Sequence, residues 1–348
     1  MTEASAQPTV TDLPHGLTSR IPGLEDHEAI TALVAAHQQA ARGSSSVDPA
    51  AVASAVTGTA SWTRRQVVVQ DAAGEVVAWA SVHDRAAGRS VIDVTVAPDL
   101  PEADHTAGAL FAWVEETALG VAQQRDLAGT QLDASAYAAD GRQRGWLTAA
   151  GYRHTRTWLQ MSRPVPVSEA EPGALPSPRE RVTVRRVAKH DDGLPVALDL
   201  QTVHQMLEES FADHFNSYRE SFAEFVQRLR EDPGHRWDHW WIATIDVDGE
   251  HVPGGALVSS VLPPDAGGVD GSYIDYIGVH RRARGRGVAK ALLHTVIADT
   301  ARRGRNRVGL EVDGDSPTGA DGLYLSMGWQ TAYKTESWHK DVTVGGGA

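Results

Sequence analysis

Apolar positions along this chain recur with two periods, and the switches between them outline the fold. Over residues 28–41, Ile30, Leu33, Val34 and His37 follow helical spacing. Residues 66–70 and 75–82 are short β-rich runs joined by Asp71-Ala72-Ala73-Gly74, a hairpin signal. Residues 90–96 predict a third strand, and 105–124 a helix with Leu110, Phe111, Val114, Leu119 and Val121 on its apolar side. A strand at 130–133, a short helix at 141–150 and a strand at 155–162 complete the first half. Pro164, Pro166, Pro172, Pro176 and Pro178 then break the pattern and mark a semi-rigid linker. The second half opens with a strand at 182–187 and helices at 198–215 and 221–232. A hairpin of 240–246 with 254–261 follows, and then a strand at 273–279. The helix at 288–303 sets Val288, Ala291, Leu292, Val296 and Ile297 along one face. A strand at 307–312, a helix at 319–327 and a strand at 332–338 close the chain. Residues 1–20 are Thr/Pro/Ala-rich without a period and read as a disordered tail.

The two halves repeat each other. Residues 77–82 match 255–261. Val91-Ile92-Asp93-Val94-Thr95-Val96 matches Tyr273-Ile274-Asp275-Tyr276-Ile277-Gly278-Val279, with one residue more in the second copy. Leu147-Thr148-Ala149-Ala150-Gly151-Tyr152 matches Tyr324-Leu325-Ser326-Met327-Gly328-Trp329. The pattern is a tandem duplication of one mixed α/β domain, with copies at 21–163 and 181–343 around a linker at 164–180. An extra residue in a strand makes a β-bulge, expected here near Gly278, and bulges re-aim strands next to ligand sites.

Between the strand at 273–279 and the helix at 288–303 lies His280-Arg281-Arg282-Ala283-Arg284-Gly285-Arg286-Gly287. Gly285 and Gly287 allow a sharp turn and close approach to a ligand. The first helical turn, from Val288 and Ala289, offers unpaired N–H groups at the positive end of the helix dipole. With Arg282, Arg284 and Arg286 this makes a cradle for a diphosphate. It is not the GxxxxGK[ST] nucleotide loop, because no Lys-Ser/Thr pair follows the second glycine.

Composition narrows the class. Hydrophobic residues at 41% and charged residues at 22% of 348 fit a soluble globular protein with room for two domains. There is no run of ~18–20 apolar residues and no apolar signal-peptide core, so the expected partners exclude membrane and the expected compartment is the cytoplasm. Without cysteine there is no disulfide framework, thiolate metal site or cysteine nucleophile. The net charge of −13, from 32 Lys+Arg against 45 Asp+Glu, disfavours general nucleic-acid binding and suits a cationic substrate such as an amine.

The spacing Arg282-x-x-Gly285-x-Gly287, entered from a strand and left through a helix, resembles the acyl-CoA loop of the GNAT acetyltransferase superfamily. The resemblance covers most of 182–342 and is densest from Asp275 to Trp329, including Leu310-Glu311-Val312-Asp313 and Leu323-Tyr324. The run is similar to the C-terminal half of actinobacterial two-domain GNAT proteins, the group that includes mycothiol synthase. It implies two tandem domains, each a twisted mixed sheet flanked by helices, and direct acetyl transfer from acetyl-CoA to a small-molecule primary amine. It places the pantetheine arm along Ile277, Gly278 and Val279, and the diphosphate at 284–289. The Val279 N–H becomes a donor to the thioester oxygen, and Tyr324 the acid that protonates the leaving thiolate. Ser316 stands where the family often has Asn, which puts that contact with the arm in doubt.

An ammonium must lose a proton before it attacks. Asp275 is the candidate base, directly or through a water. Asp93 holds the same place in the first half, so a structural role stands beside it. Tyr273 and Tyr276 are alternative water-positioning groups. Phe211, His214, Phe215 and Tyr218 lie between two predicted helices where the family shapes its acceptor pocket. His235 and His239 read as ordinary histidines rather than a zinc pair, and no metal site is expected. In the first half, Ala97-Pro98-Asp99-Leu100-Pro101 replaces the glycine loop and Leu147 replaces Tyr324, so this copy reads as degenerate. A non-catalytic acyl-CoA sensor or scaffold, or a peptide or protein amine as acceptor, are the competing readings.

Overall fold

The computed structural model describes residues 8–85, 88–212, 220–316 and 319–345. These form two compact units: the described parts of Met1–Leu159, Asp313–Pro317 and Tyr333–Ala348, and those of Gln160–Val312 and Thr318–Ala332. No described helix is long and apolar enough to cross a membrane.

The first unit contains β1 (Thr18–Arg20), α1 (His27–Arg42), α2 (Pro49–Val56), β2 (Arg64–Gln70), β3 (Val76–Arg85), β4 (Arg89–Val96), α3 (Ala103–Gln124), β5 (Gly129–Tyr137) and α4 (Gly141–Ala149). β6 (Arg153–Pro164) runs from it into the second unit. The second unit continues with β7 (Val182–Arg186), α5 (Ala197–Phe211), α6 (Phe222–Arg230), β8 (His235–Val247), β9 (Glu250–Leu262), β10 (Gly271–Val279), α7 (Val288–Arg302), β11 (Arg307–Asp313) and α8 (Ala320–Ser326). The last strand, β12 (Gln330–Thr343), returns to the first unit, where Thr335 to Thr343 pair antiparallel with Tyr137 to Gly129 of β5.

Both units are mixed sheets flanked by helices. In the first, β1, β2, β3 and β4 pair antiparallel in turn and β4 pairs parallel with β5. In the second, β7, β8, β9 and β10 pair antiparallel and β10 pairs parallel with β11. Local chemistry fixes the ends. Asp71 Oδ1 accepts from the N–H groups of Ala73 and Glu75 at 2.9 and 3.0 Å and closes the first hairpin. Ser221 and Glu224 form a reciprocal capping box that starts α6. Leu110, Val114 and Leu132 are buried in the first core, and Val203, Trp240, Ile242 and Val258 in the second.

Three differences from the sequence expectations matter. Residues 8–20 are not a loose tail: β1 pairs with β2, Leu13 and Leu17 pack on the core, and the Pro8 carbonyl accepts the Trp113 indole N–H at 2.7 Å. The helix α2 shows no clear period in the sequence. It is Ala-rich, only eight residues long, and held by the Asp48 side chain on the Ala50 N–H. The bulge in β10 falls at Asp275, between Ile274 and Tyr276, rather than near Gly278.

Candidate functional site

β10 organises the site. Its parallel pairing with β11 covers Ser272 to Ile274 only. From Tyr276 to Val279 the described pairing is with β9 alone, opposite Val258 to Gly255. The strand therefore presents a free edge beyond the bulge, at Ile277 and Val279, where its backbone groups can meet a ligand. Gly278 is buried, and its bare backbone makes room for a neighbour. A Cβ there would sit 2.9 Å from that of Ser210 and 3.0 Å from Leu207 Cδ2, so its absence lets α5 lie on the strand.

The loop after β10 is held from several sides. His280 Nδ1 accepts from the Arg282 N–H at 3.2 Å and caps a single 3₁₀ turn over Arg281–Ala283. Its Nε2 therefore carries the proton and meets Glu209 Oε2 of α5 at 3.1 Å. Gly285 and Gly287 both have left-handed φ, +77° and +88°, and Gly287 caps α7. The N–H groups of Gly285, Gly287, Val288 and Ala289 meet no protein acceptor among the described residues. This is the chemistry of an anion cradle.

The arginines divide unevenly. Arg282 donates to the Pro253 carbonyl at 3.0 Å and Arg286 to that of Asp246 at 3.2 Å, so both brace the loop against the β8–β9 hairpin end. Arg284 is exposed. A fourth arginine, Arg179 from the Pro-rich linker, donates to the Gly285 carbonyl at 3.1 Å and lies where a Gly287 Cβ would be, 2.8 Å from its Cδ. Sequence reasoning missed it because more than a hundred residues separate it from the loop.

The acidic side of the site lies at the bulge. Asp275 Oδ1 accepts from the Ser260 hydroxyl at 3.2 Å. The residue is partly reached by solvent, but protein surrounds its carboxyl closely. Burial, helped by the nearby Asp232 charge, pushes it up to about 8, while Ser260 and Arg228 pull the other way. Arg228 lies on Glu220 through two contacts of 2.9 and 2.6 Å and donates to the Tyr276 hydroxyl at 2.5 Å. Its guanidinium also stacks on the Tyr276 ring at 5.1 Å. Glu220, Arg228, Asp232 and Ser260 were not singled out from sequence; the Ser221-x-x-Glu224 cap was the available signal for the helix that carries Arg228.

Tyr324 is buried on α8, 5.9 Å from Trp329 in an edge-on contact, and burial pushes its hydroxyl up to about 12. Tyr273 packs over Gly309 of β11, and Phe211 lies against the second core. Ser316 belongs to the first unit, within Asp313–Pro317. His214, Phe215 and Tyr218 fall outside the described residues. His239 donates through Nδ1 to Asp238 at 2.7 Å and takes Arg305 on Nε2 at 2.7 Å. His235 packs edge-on to Trp237 at 4.5 Å. Burial drives both histidines down to about 4.

Residues 200–329 match the acetyltransferase (GNAT) family. No curated protein matches the chain significantly in sequence. A GCN5-related N-acetyltransferase from Sphaerobacter thermophilus is similar in structure, with a TM-score of 0.73 and 26% identity, covering 95% of this chain and 97% of that one. A tandem GNAT protein from the clavulanic acid biosynthesis pathway matches with a TM-score of 0.65 and 14% identity over 95% and 100% of the two chains. The Saccharomyces cerevisiae N-myristoyltransferase, solved with bound myristoyl-CoA, shares the fold at a TM-score of 0.54 and 10% identity over 95% and 80%. The family implies acyl-CoA-dependent acetyl transfer. Residues 200–329 therefore carry the match to the GNAT acetyltransferase family, and the chain is similar over nearly its whole length to a GCN5-related N-acetyltransferase.

Proposed function

We propose that this chain acetylates the primary amine of a small molecule with acetyl-CoA, by direct attack and without a covalent enzyme intermediate. The observation that carries the reading is the run from the free edge of β10 through the Arg/Gly turn into α7, with Asp275 at the strand's bulge. Acetyl-CoA supplies the acetyl group as an activated thioester. The N–H groups of Gly285, Gly287, Val288 and Ala289 take the diphosphate, with Arg284 and Arg179 adding charge. Ile277 and Val279 take the amide-bearing arm along the strand edge, and the Val279 N–H faces the thioester oxygen.

Asp275 receives the ammonium proton, directly or through a water held with Tyr273 or Tyr276. The nitrogen lone pair so freed forms the new C–N bond, and the C–S bond breaks. Tyr324 gives its hydroxyl proton to the departing sulfur, and the second proton that the attacking nitrogen sheds as the amide forms restores the phenol through solvent. A phenol held near 12 is fully protonated at neutral pH and ready to donate. The nearest named candidate within the family is mycothiol synthase, on the strength of the tandem sequence pattern alone.

The test is turnover. Incubation with acetyl-CoA and a panel of small amines, peptides and lysine-bearing proteins, followed by free thiol, is expected to give thiol release with a small amine. Binding of acetyl-CoA without release across the panel would point to a sensor. Arg284→Glu combined with Gly285→Val is expected to abolish coenzyme A binding, and unchanged affinity would remove the loop from the site.

A further inference from the structure

A cavity of about 280 Å³ opens in the first unit between α3 and α4. Asp104, Gly108, Phe111 and Glu115 line it along one face of α3, opposite Trp146 of α4, with Lys340 of β12 at one end. A Cβ on Gly108 would meet nothing within 4 Å, so the space stands open directly in front of that glycine.

The internal repeat shows what this place has become. α3 and α7 end at the same interval before β5 and β11. Counted back from those ends, Leu110, Val114 and Ala118 answer Val288, Leu292 and Val296, and all six are buried. The same count sets Asp104, Gly108 and Ala112 against Arg282, Arg286 and Lys290. Three cations of the second unit are replaced by an acid, a glycine and an alanine. By this count the first turns of α3 fall level with the Arg/Gly loop along the sequence, and Pro98 and Pro101 before them have no N–H to offer.

The charges inside the cavity do not balance. Glu115 is paired with Lys340, which also donates to the Ala150 carbonyl at 2.9 Å. Asp104 accepts the Trp146 indole N–H at 2.6 Å and meets no basic side chain at ion-pair distance among the described residues. Arg142 stacks on the Trp146 ring at 5.0 Å but directs its Nη1 to the Pro98 carbonyl. The cavity thus presents one carboxylate without an ion-pair partner at its exposed rim, the edges of two largely buried aromatic side chains, and a floor without side chain. A diphosphate would be repelled by the carboxylate, whereas a cation gains from it. The volume lies at the lower edge of the ~300–1,000 Å³ of small-molecule pockets, which sets the size of the ligand.

We propose that this cavity binds a small organic ammonium ion with an apolar body, its cation on Asp104 and its body over Gly108 against the edges of Phe111 and Trp146. The former cofactor groove of the first copy has become an amine site, independent of the transfer reaction assigned to the second. The experiment is isothermal titration of the full chain with 2-phenylethylammonium, with phenylacetate as the charge-reversed control and coenzyme A as a third ligand. Expected are saturable binding of the ammonium ion that survives Asp275→Asn and falls at least about tenfold in Asp104→Asn, the loss of one charge-assisted contact. Gly108→Leu fills the cavity and is expected to abolish that binding while coenzyme A affinity and Tm are kept. Gly108→Ala with Asp104→Asn carries the same test should the leucine disturb folding. The proposal is overturned by ammonium binding that persists in Gly108→Leu or disappears in Asp275→Asn. Phenylacetate binding as tightly, no ammonium binding at all, or a second equivalent of coenzyme A removed by Gly108→Leu would each overturn it too.

Discussion

β4 and β10 are copies of one strand, each with an aspartate and a serine partner, yet they present different chemistry. In β4 the register with β3 runs unbroken from Arg89 opposite Arg85 to Val96 opposite Ala78, and Asp93 sits directly across from Ser81. In β10 one added residue breaks the register at Asp275, and the strand beyond it carries a loop of bare N–H groups instead of a proline turn. The aspartate and the serine are thus inherited framework. What the second copy adds is a bulge, the Arg228–Glu220–Tyr276 cluster beside it, an anion cradle after it, and a phenol where the first copy has Leu147. The two strands differ in the surroundings of a shared carboxylate more than in the carboxylate itself.

That contrast can be broken most sharply at Asp275. Asp275→Asn is expected to lower kcat by about 10²–10⁴-fold with a small-amine acceptor, the range for loss of a general base. The pH profile adds a second reading. Wild-type kcat/KM should climb with pH toward a plateau above about 8, because the carboxyl must be ionised to accept a proton, and the Asn variant should lose that limb. The same group also marks stability. Its folded pKa lies above the unfolded value of 3.8, so its contribution is fully present below that value and is lost as pH rises through about 8. Thermal melts should show the Asn variant gaining on the wild type between pH 5 and 8.

Tyr324→Phe comes next, with about a 10²-fold loss in kcat and little change in acetyl-CoA KM, read from steady-state thiol release. A variant of full activity would make Leu147 and Tyr324 equivalent after all. Gly287→Val is expected to act on the cofactor side. A left-handed backbone at φ +88° and a Cβ in Arg179 cost about 1–3 kcal/mol, so acetyl-CoA KM should rise by about tenfold or more with kcat less affected. Asp93→Asn gives the smallest effect, within about twofold on kcat and on both KM values, because Asp93 belongs to the other unit from the proposed transfer site. A large loss there would mean that the first copy still takes part in the chemistry.

Much of this arrangement was legible in the sequence, for identifiable reasons. Helical and strand periods reported α1, α3, α7 and the strands β2 to β12 because each of these elements buries one face against its unit's core. The turn after β10 was legible because two left-handed backbone positions call for glycine, at Gly285 and Gly287. The extra residue of the second copy revealed a bulge, but its position depends on where β9 resumes pairing, at Tyr276 opposite Val258, and that is a tertiary fact. Arg228 and Glu220 come to Tyr276 from another helix, and Arg179 reaches the loop from the linker. No local pattern encodes such meetings.

The path of β12 limits how the molecule can be divided. A gene cut in the Pro-rich segment would look like a separation of two halves, but the upstream fragment would lack the strand that covers β5 from Gly129 to Tyr137. That fragment would expose a long, unpaired edge and tend to self-associate. The downstream fragment would carry an orphan tail whose natural partner is gone. The two copies are therefore obliged to be synthesised, inherited and lost as one piece, so neither half of the repeat can be shed while the other is kept.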